Sequence, residues 1–242
     1  MKDILVIGES CRDVFIYCDA NRLCPDVPVP VLNIVNQTEN GGMAKNVYRN
    51  IITRVDSCDI LTNTDWVNVT KTRYVHNSSN HMFFRVDTPH NIPRINLSEI
   101  DYNYKLIVIS DYDKGFLSEQ DIQTICENHD NVFLDSKKIL GDWASKAKFI
   151  KINDYEYKRS ESFINDELKS KIIHTMGGDG CKYQGKTHKV NKVDVKDTSG
   201  AGDSFMAGLV IEYLNSNDVT KSIQFANKCA SEVVKHRGVT VI

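Results

Sequence analysis

The feature that most constrains the fold is the alternation of strand-like and helix-like segments from residue 106 onward. Short apolar runs that are typical of buried strands cover residues 106–110, 132–134, 149–152 and 172–175. Helical patterns predict helices over 118–127, with Ser118 as N-cap, and over 201–214 and 219–235. This alternation is typical of a mostly parallel sheet covered by helices, so we predict an α/β fold. In such sheets, ligands bind at the carboxyl ends of the strands.

The first hundred residues have a different pattern. Residues 4–7 form an apolar run that is typical of a buried strand ending at Gly8. Runs of β-branched residues predict further strands over 14–17, 29–35, 71–75 and 82–86. Gly41 and Gly42 then open a predicted helix that extends through Ile51. At 242 residues the chain is long enough for one substantial core, so we predict a single domain over residues 1–242.

Composition argues against several classes of protein. The formal net charge is -2 and the basic residues are scattered, which argues against a nucleic-acid-binding protein. The seven cysteines include no Cys-x-x-Cys pair and the histidines are dispersed, so their spacing predicts neither a disulfide framework nor a zinc site. The apolar runs are too short to span a membrane or to form a signal peptide. We therefore expect a cytoplasmic protein with reduced thiols.

Residues 197–203 read Asp-Thr-Ser-Gly-Ala-Gly-Asp and lie directly before an apolar helix. A glycine-rich turn at a helix start leaves N–H groups unpaired at the positive end of the helix dipole, where they favour an anion. Asp203 would lie in the first helical turn, beside that anion. A carboxylate there would accept the proton of an alcohol that attacks a phosphoryl group. The alternative is a glycine-rich loop in which Asp203 only favours the helix start.

With other short motifs in the same order, this segment resembles the ribokinase-type (pfkB) carbohydrate kinases. Residues 22–31 read Arg-Leu-Cys-Pro-Asp-Val-Pro-Val-Pro-Val and are similar to a stretch of the heptose 7-phosphate kinases within that family. Segments 70–73, 85–87 and 110–115 resemble the same subfamily. The resemblance implies a three-layer αβα sandwich with a small β lid from about residues 14–36 and 70–88. It also implies phosphorylation of the anomeric hydroxyl of a heptose 7-phosphate by ATP with Mg²⁺.

The resemblance also implies a role for each residue that matches a family motif. Asp203 would be the general base. Gly200, Ala201 and Gly202 would form the anion hole for the transferring phosphoryl group, because fixed N–H donors need no reorganisation to meet the developing charge. Asp197 would shape the turn or touch the metal's outer shell.

The nucleotide half of the resemblance covers the second half of the chain. Asn153 and Glu156 match a motif tied to magnesium and phosphate, and they would hold Mg²⁺ through water. The other implied nucleotide-binding residues are Lys137, Thr175, Gly177, Gly180, Asn227 and Gly238. Simpler alternatives are a solvated helix face for Asn153 and Glu156, a surface position for Lys137, and an ordinary helical asparagine for Asn227.

The sugar half of the resemblance covers the first 115 residues. Short polar or small residues at strand ends would bind the sugar and its hydroxyls. They are Asp13, Gly41, Gly42, Asn46 and Asp111. Cationic side chains would bind the phosphate of a sugar phosphate, at Lys71, Arg73, Arg85 and Lys114. Sequence alone gives no information on whether these four cations converge.

Two further expectations concern the whole molecule. The interval 54–65 is short for the family, so we expect it to lack a whole βα unit. The lid side chains Val14, Ile16, Val29 and Val31 would need a partner to be buried, which predicts a homodimer. The alternatives to a heptose kinase are a kinase for another sugar or a nucleoside, a catalytically idle binding homologue, and a protein that only dimerises through its lid.

Overall fold

A computed structural model of the protein describes residues 1–89 and 91–242. Its strands are β1 (Lys2–Ile7), β2 (Ser10–Asp19), β3 (Asn33–Met43), β4 (Cys58–Leu61), β5 (Thr70–His76), β6 (Met82–Asp87), β7 (Tyr104–Asp111), β8 (Val132–Ser136), β9 (Phe149–Asn153), β10 (Ile172–Thr175), β11 (Cys181–Tyr183) and β12 (Lys186–His188). Its α-helices are α1 (Ala44–Ile51), α2 (Glu119–Asn128), α3 (Asp154–Ser160), α4 (Asp166–Lys171), α5 (Ala201–Ser216) and α6 (Val219–Val233). The three helices predicted in the second half of the chain are confirmed as α2, α5 and α6.

The main sheet has eight strands in the order β12-β11-β10-β9-β8-β7-β1-β4. Neighbours from β4 to β10 pair in parallel, whereas β11 and β12 add an antiparallel edge. The predicted mostly parallel sheet is therefore confirmed. The carboxyl ends of its central strands lie along one edge, and the candidate site is at that edge.

Both faces of the main sheet are buried. In β1, Leu5 and Ile7 pack into one core, to which α2 contributes. Ile4 and Val6 point to the other core, beneath α1, α5 and α6. This division follows from the two-residue period of a strand, and it confirms the three-layer αβα sandwich.

A second sheet of four strands, in the order β3-β2-β5-β6, forms the lid. Strands β2 and β5 pair in parallel, and the two outer pairs are antiparallel. The strand predicted at 29–35 instead begins at Asn33, because Pro28 and Pro30 cannot donate to a ladder. Gly41 and Gly42 do not open the helix as predicted. They lie within β3, where a Cβ on Gly42 would be 2.8 Å from Sγ of Cys11 in β2.

The interval 54–65 is not reduced as far as we expected. It contains strand β4, which pairs with β1 at the edge of the main sheet. Residues 62–69 form turns and no helix before β5 begins. We expected a whole βα unit to be missing. That expectation is wrong for the strand of the unit, which is present as β4.

The apolar face of the lid is partly covered by the chain itself. Val14 and Ile16 are buried against Leu32, Tyr74 and Phe83, so the expectation that these two residues need a partner is wrong. Val31 is half-buried. Other large apolar side chains of the lid are exposed, at Leu23, Val27, Val29, Ile34, Val35, Met82, Phe84 and Val86.

The cysteines and helices complete the description. All seven cysteines are free thiols; six are buried, and Cys24 is half-buried in the irregular segment between β2 and β3. Among the helices of the described residues, none combines the length and apolar character needed to cross a membrane.

Candidate active site

Asp203 lies in the first turn of α5, directly after the glycine-rich loop. Gly200 is the N-cap of this helix, and its φ of +78° is a left-handed conformation that glycine adopts without steric cost. A Cβ on Gly200 would lie 2.9 Å from Nδ2 of Asn46 on α1, so the close approach of α1 also requires glycine. The predicted anion loop therefore has the tight geometry that its sequence requires.

Asp197 fixes the other end of this loop. Its Oδ1 accepts a hydrogen bond from the backbone N–H of Ser199 at 2.9 Å. Its Oδ2 accepts one from the backbone N–H of Gly238 at 3.0 Å. Of the two roles expected for Asp197, these contacts favour shaping the turn.

The carboxylate of Asp203 is buried and accepts two side-chain hydrogen bonds. Nδ2 of Asn46 donates to Oδ2 at 2.8 Å, and the hydroxyl of Tyr112 donates to Oδ1 at 2.7 Å. Burial raises the pKa of Asp203, although both hydrogen bonds favour its ionised form and oppose that shift. The result is a fixed, desolvated carboxylate at the positive end of a helix.

The first turn of α5 has backbone N–H groups without intrahelical partners, as every helix start does. Here the N–H of Ala201 donates to the carbonyl of Thr198 at 3.2 Å, so this amide of the predicted anion hole is engaged. Gly202 faces a cation: a Cβ there would lie 3.1 Å from Nζ of Lys151. The loop therefore combines helix-start amides with a buried ammonium group.

Lys151 belongs to a chain of buried charges at the ends of β8 and β9. Its Nζ lies 2.6 Å from Oδ2 of Asp135, and Nζ of Lys137 lies 3.1 Å from Oδ1 of the same carboxylate. Nζ of Lys137 also lies 2.6 Å from Oε1 of Glu156. Burial alone would raise the pKa of Asp135, but the two lysines lower it. Burial alone would lower the pKa of Lys137, but Asp135 and Glu156 raise it, so we expect Asp135 and Lys137 to be charged.

Asn153 and Glu156 form a reciprocal cap at the start of α3. Oδ1 of Asn153 accepts from the N–H of Glu156 at 2.9 Å, and Oε2 of Glu156 accepts from the N–H of Asn153 at 2.8 Å. Both Glu156 oxygens thus have donors already, since Oε1 also contacts Lys137. The described residues contain no cluster of three or more His, Cys, Asp or Glu side chains that would hold a metal directly. Direct ligation of a metal ion by Glu156 would replace one of these contacts, so the pair would hold a magnesium ion only through water.

A cavity of about 720 Å³ lies beside the glycine-rich loop. Predicted residues that line it are Lys137, Asn153, Thr175, Gly177, Gly180, Gly200, Ala201, Gly202, Asp203 and Asn227. Its volume is in the range that nucleotide-sized ligands occupy. Most of the predicted nucleotide-binding residues thus border one cavity of nucleotide size.

The loop after β10 forms one wall of this cavity. Gly180 has a φ of +87°, and a Cβ there would lie 2.1 Å from the carbonyl oxygen of His188, so only glycine fits. Asn227 is buried, and its Nδ2 donates to that same carbonyl at 3.1 Å. Gly238 does not line the cavity; it lies at the loop anchor of Asp197, facing the hydroxyl of Tyr17.

Three of the four predicted sugar-side cations, Lys71, Arg73 and Arg85, share one face of the lid. Arg73 is paired with Asp13, and in the β5–β6 ladder it lies opposite Arg85. Arg85 forms an ion pair with Asp87, with Nε 2.8 Å from Oδ1. Nζ of Lys71 lies 5.2 Å from the ring centre of Tyr112, whose hydroxyl donates to Asp203.

Gly41, Asp111 and Lys114 have other surroundings. Gly41 lies against the side chain of Lys45. Asp111 is buried at the end of β7, where it contacts Ser136 and Lys138, and burial with the nearby Glu9 raises its pKa to about 6. Lys114 is exposed, and its backbone N–H donates to Oε1 of Glu9 at 2.7 Å. The geometry does not bring Lys114 or Asp111 together with the lid cations.

Two site residues escaped the sequence reasoning. Lys151 lies within the otherwise apolar strand β9. A charged residue in a strand that is buried on both faces could have indicated a functional position. Tyr112 is part of the 110–115 motif, but its bond to Asp203 joins residues 91 positions apart, which no local pattern reveals.

The chain is similar to curated proteins. The "Bifunctional protein HldE" of Helicobacter pylori (strain G27) is 27% identical over 301 residues, which cover 98% of this chain and 64% of that protein. The chain thus spans about 64% of the length of this curated relative, and the alignment is longer than the chain because the relative has inserted segments.

Solved structures share the fold at low identity. Ribokinase from Thermotoga maritima superposes with a TM-score of 0.76 at 14% identity, covering 99% of this chain and 95% of that one. Arabidopsis thaliana ribokinase complexed with ribose and ATP has a TM-score of 0.67 at 12% identity, with coverage of 98% and 94%. The pfkB family carbohydrate kinases match residues 53–242, from the approach to β4 through the Asp203 helix to the last residue. Because this match covers well over half of the sequence, the chain belongs to the pfkB family of carbohydrate kinases.

Proposed function

We propose that this kinase transfers a phosphoryl group from ATP to the anomeric hydroxyl of a heptose 7-phosphate. The observation that carries the proposal is the buried Asp203 carboxylate at the start of α5. On one side of it lies the cavity of about 720 Å³, and on the other the lid residue Lys71 contacts Tyr112. A base between a nucleotide-sized cavity and a cationic lid is suited to phosphoryl transfer to a sugar phosphate.

Asp203 takes the proton of the sugar hydroxyl in this proposal. Burial raises the pKa of its carboxyl group, which makes the carboxylate a stronger base near neutral pH. The hydrogen bond from Asn46 fixes its orientation. A carboxylate held in one orientation needs little reorganisation when the hydroxyl attacks.

Bound ATP with Mg²⁺ supplies the phosphoryl group. The N–H groups of Gly200 and Gly202 would receive the charge that develops on its oxygens, whereas that of Ala201 donates to the carbonyl of Thr198. Lys151 adds a fixed positive charge beside Gly202, held by its ion pair with Asp135. Asn153 and Glu156, at the start of α3, would hold the magnesium ion through its water molecules.

Three observations support a phosphorylated sugar. Lys71, Arg73 and Arg85 lie on one face of the lid. Asp13 and Asp87 neutralise the two arginines, whereas no ion pair to a carboxylate involves Lys71 within the described residues. Segment 22–31 resembles the heptose 7-phosphate kinases. We assign the hydroxyls of the sugar to Asp13 and Asn46, and its phosphate to Lys71.

The test is ADP release from Mg-ATP with a panel of heptose 7-phosphate, fructose phosphates, ribose and adenosine. We expect turnover with heptose 7-phosphate, and a loss of at least about a hundredfold in Asp203→Asn. Asp121 occupies the corresponding third position of α2, remote from the cavity. Asp121→Asn is therefore the control for a residue that only supports a helix start, and we expect it to keep full turnover.

Each other outcome selects an alternative. Turnover with another panel member keeps the kinase and rejects the heptose. If no panel member is turned over but nucleotide raises the melting temperature, the protein is a catalytically idle binding homologue. Dimerisation without any nucleotide effect identifies a protein that only associates through its lid.

We also propose a homodimer, in which exposed apolar residues of the lid meet a second copy. The supporting residues lie on β6 and in the segment before β3, and they include Phe84, Val86 and Val29, each about half exposed. Burying such side chains would stabilise association.

A further inference from the structure

Tyr112 occupies a fixed position between the lid and the nucleotide cavity. It directly follows β7, and its backbone N–H donates to Oε2 of the buried Glu9 at 2.9 Å. Nζ of Lys71 lies 5.2 Å from the centre of its ring, and Nζ of Lys137 lies 5.3 Å from it. Two cations from different parts of the chain therefore hold the ring, while its hydroxyl donates to Oδ1 of Asp203 at 2.7 Å.

The phenol of Tyr112 is suited to be a permanent donor. Burial raises its pKa well above the ordinary value, and the neighbouring Asp203 and Asp135 carboxylates act in the same direction. The hydroxyl therefore remains protonated at any pH at which a kinase works. A phenol that keeps its proton donates to Asp203 and does not compete with it as a base.

Asp203 is surrounded by groups with opposing effects. Asn46 on α1 and Tyr112 after β7 donate hydrogen bonds that favour the carboxylate. Lys151 on β9 favours it by charge, whereas Asp135 on β8 and burial favour the protonated acid. The thiol of Cys11 on β2 is also close enough to interact with Asp203. Removal of one donor would shift this balance toward the acid.

We propose that Tyr112 is a positioning residue for the base, whose hydroxyl keeps the Asp203 carboxylate ionised through a fixed hydrogen bond. This inference rests on the proposed function only for the identity of Asp203 as the base. The competing interpretation is that Tyr112 merely fills space between the two lysines. A space-filling ring would act equally well without its hydroxyl.

The test compares two Tyr→Phe variants of the same strand region. Tyr112→Phe removes the bond to Asp203 but keeps the ring between Lys71 and Lys137. Tyr104→Phe is the matched control, because Tyr104 at the other end of β7 donates to Asp59 at 2.5 Å, far from the cavity. Each variant loses one Tyr–Asp hydrogen bond. Comparing their melting temperatures therefore shows whether an effect on activity is due to a loss of stability.

In the pH profile of kcat/KM, we expect Tyr112→Phe to move the acidic limb upward by about one pH unit. At pH values below that limb, kcat/KM of Tyr112→Phe should be about tenfold lower than that of the unmodified protein. On the plateau at higher pH, the two proteins should differ little. The Tyr104→Phe profile should coincide with that of the unmodified protein. Coincident acidic limbs for all three proteins would overturn the proposal.

A second measurement does not depend on turnover. The side-chain carboxyl of Asp203 is titrated by ¹³C NMR in the full chain labelled at aspartate, and Asp203→Asn identifies its resonance. We expect the Tyr112→Phe carboxyl to titrate about one pH unit higher. If the Asp203 titration shifts but the protein phosphorylates no sugar, the proposed function is rejected and this inference stands. An unshifted titration would reject the inference whatever the activity.

Discussion

At the scale of single residues, two glycines with nearly the same φ allow the effect of backbone strain to be measured apart from an effect on catalysis. Gly200 has a φ of +78° and Gly185, in the turn between β11 and β12, has a φ of +77°. A Cβ on Gly185 meets nothing within 4 Å, whereas one on Gly200 would lie 2.9 Å from Nδ2 of Asn46. A substitution to alanine therefore has a similar unfavourable φ at both sites, but only at Gly200 would the added Cβ disturb a hydrogen-bond partner of Asp203.

We expect Gly185→Ala to lose about 1 kcal/mol of stability and to keep full turnover. Gly200→Ala has the same backbone strain, and in addition it displaces Asn46 from Asp203, so kcat should fall by about a hundredfold. Thermal melting and ADP-release assays on both variants measure the two effects. Equal kcat values for the two variants would contradict the role of this close approach.

Asp111 is the residue through which we expect pH to act on stability. Burial, with a contribution from Glu9, raises its pKa to about 6, above the value near 4 of an unfolded aspartate. Between these values the folded state binds the proton more strongly. Its stabilising contribution is therefore complete below about pH 4 and is lost as pH rises through about 6.

The check is the free energy of unfolding between pH 4 and 8 for the unmodified chain and Asp111→Asn. The difference between the two proteins should change by about 3 kcal/mol over this range, in favour of the variant at higher pH. Asp113→Asn is the control, because Asp113 is exposed and pairs with the same Lys138. Parallel curves for the chain and Asp111→Asn would contradict the prediction.

At the scale of elements, helices α3 and α4 have similar caps and different positions. Asn153 caps α3 beside the cavity, and Asn165 caps α4 by accepting from the N–H of Leu168 at 2.9 Å. Replacing either with alanine should lose about 1 kcal/mol of stability. Only Asn153→Ala should also weaken the binding of Mg-ATP, which calorimetric titration of both variants measures. Equal affinities would leave Asn153 with a capping role alone.

The elements that the sequence predicts well are those with a local cause. Strand β9 was expected at 149–152 and lies at Phe149–Asn153, because an apolar run of that length has one stable place in a sheet buried on both faces. Strand β3 was largely missed because its residues Asn36–Glu39 are exposed and polar, with no alternation to detect.

The same limit applies to the candidate site. Gly200 and Asp203 form a local motif that sequence reveals. The bond between Asn46 and Asp203 joins residues 157 positions apart, and the cation beside Gly202 comes from β9. Such contacts depend on how the sheet is assembled, so they could not be predicted from local spacing.

At the scale of the whole molecule, the lid predicts self-association. We expect sedimentation velocity to find a dimer, and Phe84→Asp on β6 to weaken it by about a hundredfold, because the charge replaces an apolar contact. Phe163→Asp is the control, since Phe163 is similarly exposed but lies outside the lid. A monomeric unmodified protein, or equal effects of the two variants, would contradict the proposed interface.

The distribution of the thiols has a practical consequence. Burial raises the pKa of Cys11, Cys181 and Cys229 to about 11 and of Cys58 and Cys126 to about 12, so these side chains hold little of the reactive thiolate. Cys24 is the least buried of the cysteines and lies in the lid segment. A maleimide fluorophore added to the unmodified protein should therefore attach mainly to Cys24. The chain thus has a natural labelling site in its lid segment, at which a fluorophore can be attached without any substitution.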